Sequence, residues 1–199
     1  MIALQNLPKF LILFRLLSGP LLLLMAWTSY SPLGFIFIFI FILAFLSDIF
    51  DGIIARRLGV SDAELRQADS FADVCFYGCV FVSAWRVYPN IIHQFSTPLL
   101  IVVFAQGLWW IVNLVKYGKP ASYHTYSAKL WGITLFIATV ALFGFNYAGV
   151  TLWLAIIVGL IHTVEEIIMT LILPVWKHDI LSIVHAYKLL EEQSNLGKN

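Results

Sequence analysis

The chain has 199 residues, 61% of them hydrophobic and 12% charged, with 12 Lys and Arg against 11 Asp and Glu and a formal net charge of +1. A mean hydropathy of +0.89 excludes an ordinary soluble domain, which needs a more heavily charged surface. The near-neutral balance gives no sign of a nucleic-acid partner, so the information lies in where the charges stand.

Six apolar runs approach or exceed the length that crosses a bilayer: Pro8–Ser29, Leu33–Leu58, Asp62–Val87, Pro98–Val115, Ala128–Phe145 and Thr151–Leu173. The predicted fold class is all-α, a polytopic membrane protein of six transmembrane helices forming one domain over residues 1–199. Tyr30-Ser31-Pro32 and Gly144–Val150 act as breaks. Met1–Leu7 lacks a basic segment, so a cleaved leader is not expected. After Pro174, Ile180, Ile183, Val184, Tyr187 and Leu190 recur at helical spacing, opposite His178, Asp179, Ser182, His185 and Lys188. This predicts a C-terminal amphipathic helix, either on the inner membrane surface or packed on the bundle.

Most cations fall on one side of these spans. Lys9, Arg56, Arg57, Arg66, Lys116, Lys119, Lys129, Lys177, Lys188 and Lys198 flank the same set of ends, and only Arg86 stands at an opposite one. The excess of basic residues on cytoplasmic loops then places both termini and the charged connections inside. Trp27, Trp85 and Trp153 near outer ends, and Trp131 and Trp176 near inner ends, suit interfacial belts. Cys75 and Cys79, one turn apart in an apolar segment, read as small packing residues rather than a disulfide or metal pair.

The stretch Ser47–Asp73 departs from this pattern, with six carboxylates and three arginines where lipid is expected. Gly59 suits the left-handed position after a helix, and Arg56 and Arg57 complement the dipole of the last turn. Ser61-Asp62-Ala63-Glu64 fits a capping box with Ser61 as N-cap. Spans two and three therefore form a tight antiparallel hairpin. Asp48 and Asp51 share one helical face, Asp69 and Asp73 another, at matched distances from the turn. If those faces meet, four carboxylates converge, a set that must take protons or a cation. Oxygen-only ligands favour Mg²⁺, Mn²⁺ or Ca²⁺ over zinc. Gly52 and Ala55 leave room beside the carboxylates, and Arg56 suits phosphate oxygens. Acid, metal and arginine together are what a phosphoryl-transfer centre requires.

These residues resemble the CDP-alcohol phosphotransferase family, whose signature is D-x2-D-G-x2-A-R-x8-G-x3-D-x3-D. It stands here as Asp48, Asp51, Gly52, Ala55, Arg56, Asp69 and Asp73, with Leu65 in the second Gly position. The opening NLPKFLILFRLLSGP resembles the first span of the family's phosphatidylglycerophosphate synthases through Pro8, Arg15 and Pro20, with Lys9 and Ile12 where Asn and Thr are common. Val74 replaces a frequent Lys. The resemblance implies that Asp48, Asp51, Asp69 and Asp73 hold Mg²⁺ or Mn²⁺ and that Asp73 is the general base. Gly52 and Ala55 would border the cytidine and Arg56 would meet the diphosphate. It also implies CDP-diacylglycerol as donor, an alcohol acceptor, CMP as product, and a homodimer. Leu65 implies a reshaped edge of the nucleotide pocket.

Lys129 reads either as a pocket lysine, as in similar enzymes, or as an interfacial anchor. Arg15 would pair with a carboxylate, meet a substrate phosphate, or snorkel to the interface. Glu165 and Glu166 are intramembrane acids, of which at most one can face a pocket squarely; acceptor binding and neutralisation of Lys129 or Arg15 stay open. His124 reads as a loop histidine beside Lys129. Glycerol 3-phosphate is the first expected acceptor, with inositol phosphate, serine or a lipid alcohol as alternatives. A divalent-cation or proton-coupled transporter is the competing class, although the acids cluster on one side of the spans instead of lining a path.

Overall fold

The computed structural model describes residues 6–28 and 34–196, with side chains as far as residue 191. Met1–Gln5, Ser29, the Tyr30-Ser31-Pro32 break, Leu33 and Lys198 lie outside the described residues. Eight helices follow in order among the described residues: α1 Leu7–Thr28, α2 Phe35–Leu58, α3 Ala63–Val87, α4 Pro89–Gln94, α5 Ser96–Tyr117, α6 Tyr126–Phe145, α7 Gly149–Ile172 and α8 Ile183–Leu196. All but α4 and α8 are long and apolar enough to cross a membrane. Each coincides with one predicted span to within two residues at the described ends. Their backbone polar groups are satisfied internally, the condition for a chain in hydrocarbon.

Two compact units divide the chain: Met1–Gln94 with Thr139–Tyr147, and Phe95–Ala138 with Ala148–Asn199. In the first, α1 packs closely along both α2 and α3. The two arms of the predicted hairpin approach each other far less than each approaches α1, so their acidic side chains converge while α1 supplies most of the backbone packing. Small residues permit the approach of α1: a Cβ on Gly19 would stand 3.1 Å from Phe76 Cα and 3.4 Å from Cys79 Sγ. Cys79 is accordingly a packing residue, and both cysteines are free thiols. Ile12, Ala55, Leu65 and Ala72 form a buried cluster joining the three helices. The last turns of α6 also belong to this unit, with Phe143 stacked on Phe37 at 4.3 Å between ring centres.

The turn between α2 and α3 follows local chemistry. Gly59 adopts φ +68°, and its N–H closes α2 on the carbonyls of Ala55 and Arg56. The N-cap of α3 is Asp62, whose Oδ1 accepts the Leu65 N–H at 2.8 Å. The N-cap therefore stands one residue after the expected Ser61, and with Leu65 at N3 only half of the expected box, the cap itself, is formed. Aspartate caps as well as serine does, and Ser61 Oγ is taken instead by Arg66 Nε at 3.0 Å.

The second unit joins α5 to α7 through neutral polar pairs. Gln106 Nε2 donates to Thr163 Oγ1 at 2.7 Å, and seven residues further along both helices Thr170 Oγ1 donates to Asn113 Oδ1 at 3.1 Å. Tyr117 OH donates to the carbonyls of Thr170 and Leu173 at 3.1 and 2.9 Å. Tyr123, in the α5–α6 connection, is 1% exposed and shares a 3.0 Å bond with Thr170 Oγ1; burial, the dominant cause, pushes its phenol up and keeps it protonated. The ring of Trp131 covers Gly159, where a Cβ would lie 2.5 Å from Nε1.

The C-terminal helix begins at Ile183, after an irregular segment bridged at Ser122 and His178. Its Ala186 is fully buried with Ile180, Leu173 and Met169, while Ile183 and Leu189 pack against that cluster. Val184 and Tyr187, expected on the same apolar face, are 62% and 52% exposed. Of the two placements open from the sequence, packing on the bundle is the one observed within this unit.

Candidate metal centre

Asp48 and Asp51 descend from α2, and Asp69 and Asp73 from α3, as the spacing demands. One oxygen from each of Asp48, Asp51 and Asp69 lies within 4.8 Å of the other two. Asp51 and Asp69 are buried, and Asp48 is half-buried. Asp73, half-exposed, stands outside that trio but is linked to it through α1.

The link is Arg15. This guanidinium, 1% exposed, reaches all four carboxylates. Nη1 donates to Asp48 Oδ1 and, at 3.3 Å, to Asp51 Oδ2. Nη2 donates to Asp69 Oδ1, and Nε lies 3.1 Å from Asp73 Oδ1 without hydrogen-bond alignment. Of the three roles open to Arg15 from the sequence, pairing with carboxylates is therefore the one observed, and with four partners instead of one. Its central place follows from the packing of α1 against both arms.

A second arginine joins from α3. Arg66 is 3% exposed, with Nη1 3.8 Å from Asp69 Oδ2 and Nε on Ser61. From the sequence Arg66 reads only as a topogenic charge. Its i,i+3 spacing from Asp69 was the available signal. Gly52 is buried beside two of the hairpin's arginines, Arg56 and Arg66. A Cβ there would lie 3.4 Å from Arg56 Nη1 and 3.8 Å from Arg66 Nη1, so the two guanidiniums cover one patch of bare backbone. Arg56 itself is exposed, in the last turn of α2. Ala55 is 1% exposed and packed among Ile12, Leu65 and Ala72, so its side chain serves helix packing. Leu65, 7% exposed, fills the same cluster.

The donor set suits a hard divalent ion. Fully ionised, four carboxylates against Arg15 and Arg66 leave two negative charges over. All the donors are oxygens, and ligand oxygens on opposite sides of a Mg²⁺ or Ca²⁺ lie roughly 4 to 5 Å apart, a span compatible with a trio whose oxygens all lie within 4.8 Å of one another.

The remaining candidates sit in the second unit. Lys129 is exposed, with Nζ 5.2 Å from the Tyr126 ring. His124 has φ +57° and lies 3.2 Å from Ser122 Oγ. Glu165 bonds to Ser127 Oγ and accepts the Ile183 N–H at 3.1 Å. Glu166, 5% exposed, lies 3.5 Å from Thr125 Oγ1 and 3.8 Å from His162 Nδ1. Both glutamates are thus engaged by neutral neighbours and a histidine of their own unit.

Six spanning helices with an oxygen-only acid cluster describe an integral, multi-pass, all-α membrane protein. Its particular lineage comes from comparison: the pattern of the family described as CDP-alcohol phosphatidyltransferase matches residues 5–175, and the chain belongs to that family. Among curated proteins it is similar to the "CDP-diacylglycerol--glycerol-3-phosphate 3-phosphatidyltransferase" of Rickettsia typhi, 28% identical over 122 residues, covering 59% of this chain and 66% of that protein. The protein of the same description from Rickettsia bellii is 28% identical over 121 residues, 59% and 65% of the two chains. That from Wigglesworthia glossinidia brevipalpis is 33% identical over 94 residues, 44% and 52%. The aligned part thus spans just under two thirds of the first two relatives' length. No solved structure matches.

Proposed function

We propose that the chain transfers a phosphatidyl group from CDP-diacylglycerol to an alcohol, glycerol 3-phosphate first, and releases CMP. The observation that carries this reading is the convergence of Asp48, Asp51 and Asp69 from two helices, at signature spacing, with oxygens within 4.8 Å of one another. Family membership and the printed names of the relatives support the donor and the acceptor. In this reading residues 1–199 act as one catalytic domain, and two copies associate as the family resemblance implies.

Asp48, Asp51 and Asp69, with Asp73 beside them, would hold Mg²⁺ or Mn²⁺. Bound there, the ion would neutralise the diphosphate and polarise its phosphorus–oxygen bonds. Arg56 and Arg66, which cover Gly52, would take the non-bridging phosphate oxygens, a task that suits planar guanidinium forks. Asp73, half-exposed where its trio neighbours Asp51 and Asp69 are buried, would accept the proton of the acceptor hydroxyl. The hydroxyl oxygen forms the new bond to the lipid-bearing phosphorus, the bond from that phosphorus to CMP breaks, and the proton stays on Asp73. Gly52 lets both guanidiniums lie close to the backbone at the nucleotide side, whereas Ala55 and Leu65 act from beneath by fixing α2 and α3 against α1. The family resemblance alone makes Lys129, exposed at the start of α6, a candidate contact for a substrate anion. The basic ends of the spans support a cytoplasmic active site.

Purified protein with CDP-diacylglycerol and Mg²⁺ should release CMP when glycerol 3-phosphate is added, and Asp73→Asn should stop the release. CMP release with inositol phosphate or serine alone would replace the acceptor. Ion flux through proteoliposomes without CMP release on any alcohol would replace the whole reading with a transporter.

A further inference from the structure

Arg15 holds one oxygen of each carboxylate that would bind a divalent ion. Asp48 Oδ1, Asp51 Oδ2 and Asp69 Oδ1 each accept from its guanidinium, and Asp73 Oδ1 lies against its Nε. From these shared contacts we infer that Arg15 is a resident counter-cation of the acid cluster, a positioning residue that keeps four carboxylates in register and is exchanged for the incoming metal. The inference rests on the metal reading above and specifies how that site is loaded.

Three physical points carry it. Four carboxylates at this separation repel one another strongly in a low-dielectric setting, and the two arms have little direct packing to hold them together. A cation on the helix that packs between their contacts, 1% exposed, supplies that cohesion before any ion arrives. Next, the ion and the guanidinium compete for the same carboxylates. An ion about 2.1 Å from oxygens that lie up to 3.3 Å from Nη1 would stand within about 5.4 Å of that nitrogen, so a double positive charge would face a single one across a shared donor set. Finally, the grip is imperfect in a way that favours exchange. The Nε–Asp73 approach at 3.1 Å lacks hydrogen-bond alignment, leaving both atoms without a bonded partner. Arginine is the residue for this task, because a planar fork reaches several carboxylates at once and stays charged at every accessible pH. A lysine offers one compact point charge.

Exchange makes opposite predictions for metal and for fold, which separates it from a fixed structural salt bridge. Mn²⁺ binding to the full chain in detergent micelles is read by electron paramagnetic resonance, without nucleotide, alongside thermal melting in EDTA. Arg15→Gln should bind Mn²⁺ at least about tenfold more tightly than wild type, because the competing cation is gone. It should also melt lower in EDTA and recover most of the loss on Mn²⁺ addition. Arg15→Lys should fall between the two on both readouts, and it serves as the test if the Gln variant does not fold. Mn²⁺ affinity unchanged or weakened in both variants, with wild type binding normally, overturns the exchange but leaves the metal reading standing. Wild type and variants that all fail to bind Mn²⁺ overturn the metal reading and the exchange with it.

Discussion

The packing of α1 with α2 and α3, and the packing of α5 with α7, both bury polar side chains in apolar helices, but with different currencies. Around α1 the groups are ionic: four aspartates, Arg15 and Arg66 within one cluster, charged beyond neutrality. Between α5 and α7 they are neutral: Gln106 with Thr163 and Asn113 with Thr170, two rungs seven residues apart. Neutral pairs bridge the helices without leaving a net charge for a ligand to balance. An ionic set with surplus charge is satisfied only when something else binds. The difference separates a seam that holds helices together from a centre built to receive a ligand.

The largest test of that contrast removes one charge. Asp69→Asn should lower CMP release by about a thousandfold or more, since it removes the negative charge of one of the three converging carboxylates. Its melting temperature in EDTA should nevertheless stay level or rise, because the cluster carries excess negative charge and Asn keeps an acceptor for Arg15. A marked drop in stability would mean that the aspartates are structural, and the contrast would fail at its stronger side.

The opposite substitution belongs on the neutral seam. Thr170 is 0% exposed and bonds to Asn113, to Tyr123 and to the carbonyl of Glu166. Thr170→Val keeps the shape and deletes those bonds, so it should cost about 1 to 2 kcal/mol in stability. Turnover by the folded fraction should stay within about twofold of wild type, as no bond made by Thr170 reaches the aspartates. Unfolding by denaturing detergent, paired with the CMP assay, reads both quantities. Turnover lost as completely as in Asp69→Asn would show that the seam is part of the catalytic centre.

How much of this was legible in the sequence follows from the reach of each signal. Span lengths, the Gly59 stop and the pairing of acidic faces are set by hydrophobic runs and by spacings of three and four residues, which a helix converts directly into geometry. The shift of the cap from Ser61 to Asp62 went the other way because both residue types cap and spacing alone does not rank them. What escaped was every relation between distant segments. Arg15 is 33 residues from Asp48 and 54 from Asp69, and nothing local to α1 says that it lies between two acidic faces. Gln106 and Thr163, 57 residues apart, look like ordinary tolerated polar residues until α5 and α7 are seen together. Ala55 shows a subtler limit: the signature identifies it beside the nucleotide, but its side chain is spent on the contact with Ile12 and Leu65. Arg66 was visible in principle, one turn before Asp69.

The smallest expected effect lies where an ionic residue serves a neutral-seam purpose. Glu165 accepts the Ile183 N–H at 3.1 Å and also bonds to Ser127 Oγ, tying the start of α8 to α7 and α6. Ser182 Oγ accepts the His185 N–H at 3.3 Å, so two of the four unpaired donors at that helix start are met. Glu165→Gln keeps an acceptor for both partners but removes a negative charge from the positive end of the helix dipole, worth at most about 1 kcal/mol. Because α8 is also held by Ala186 in the buried cluster, the loss should remain local. Amide exchange over the first turn of α8 should quicken by up to about fivefold, the equivalent of that energy, with global melting unchanged. A global loss as large as that of Thr170→Val would instead make Glu165 a keystone of the second unit. Slowed exchange would mean that its charge opposes the docking of α8.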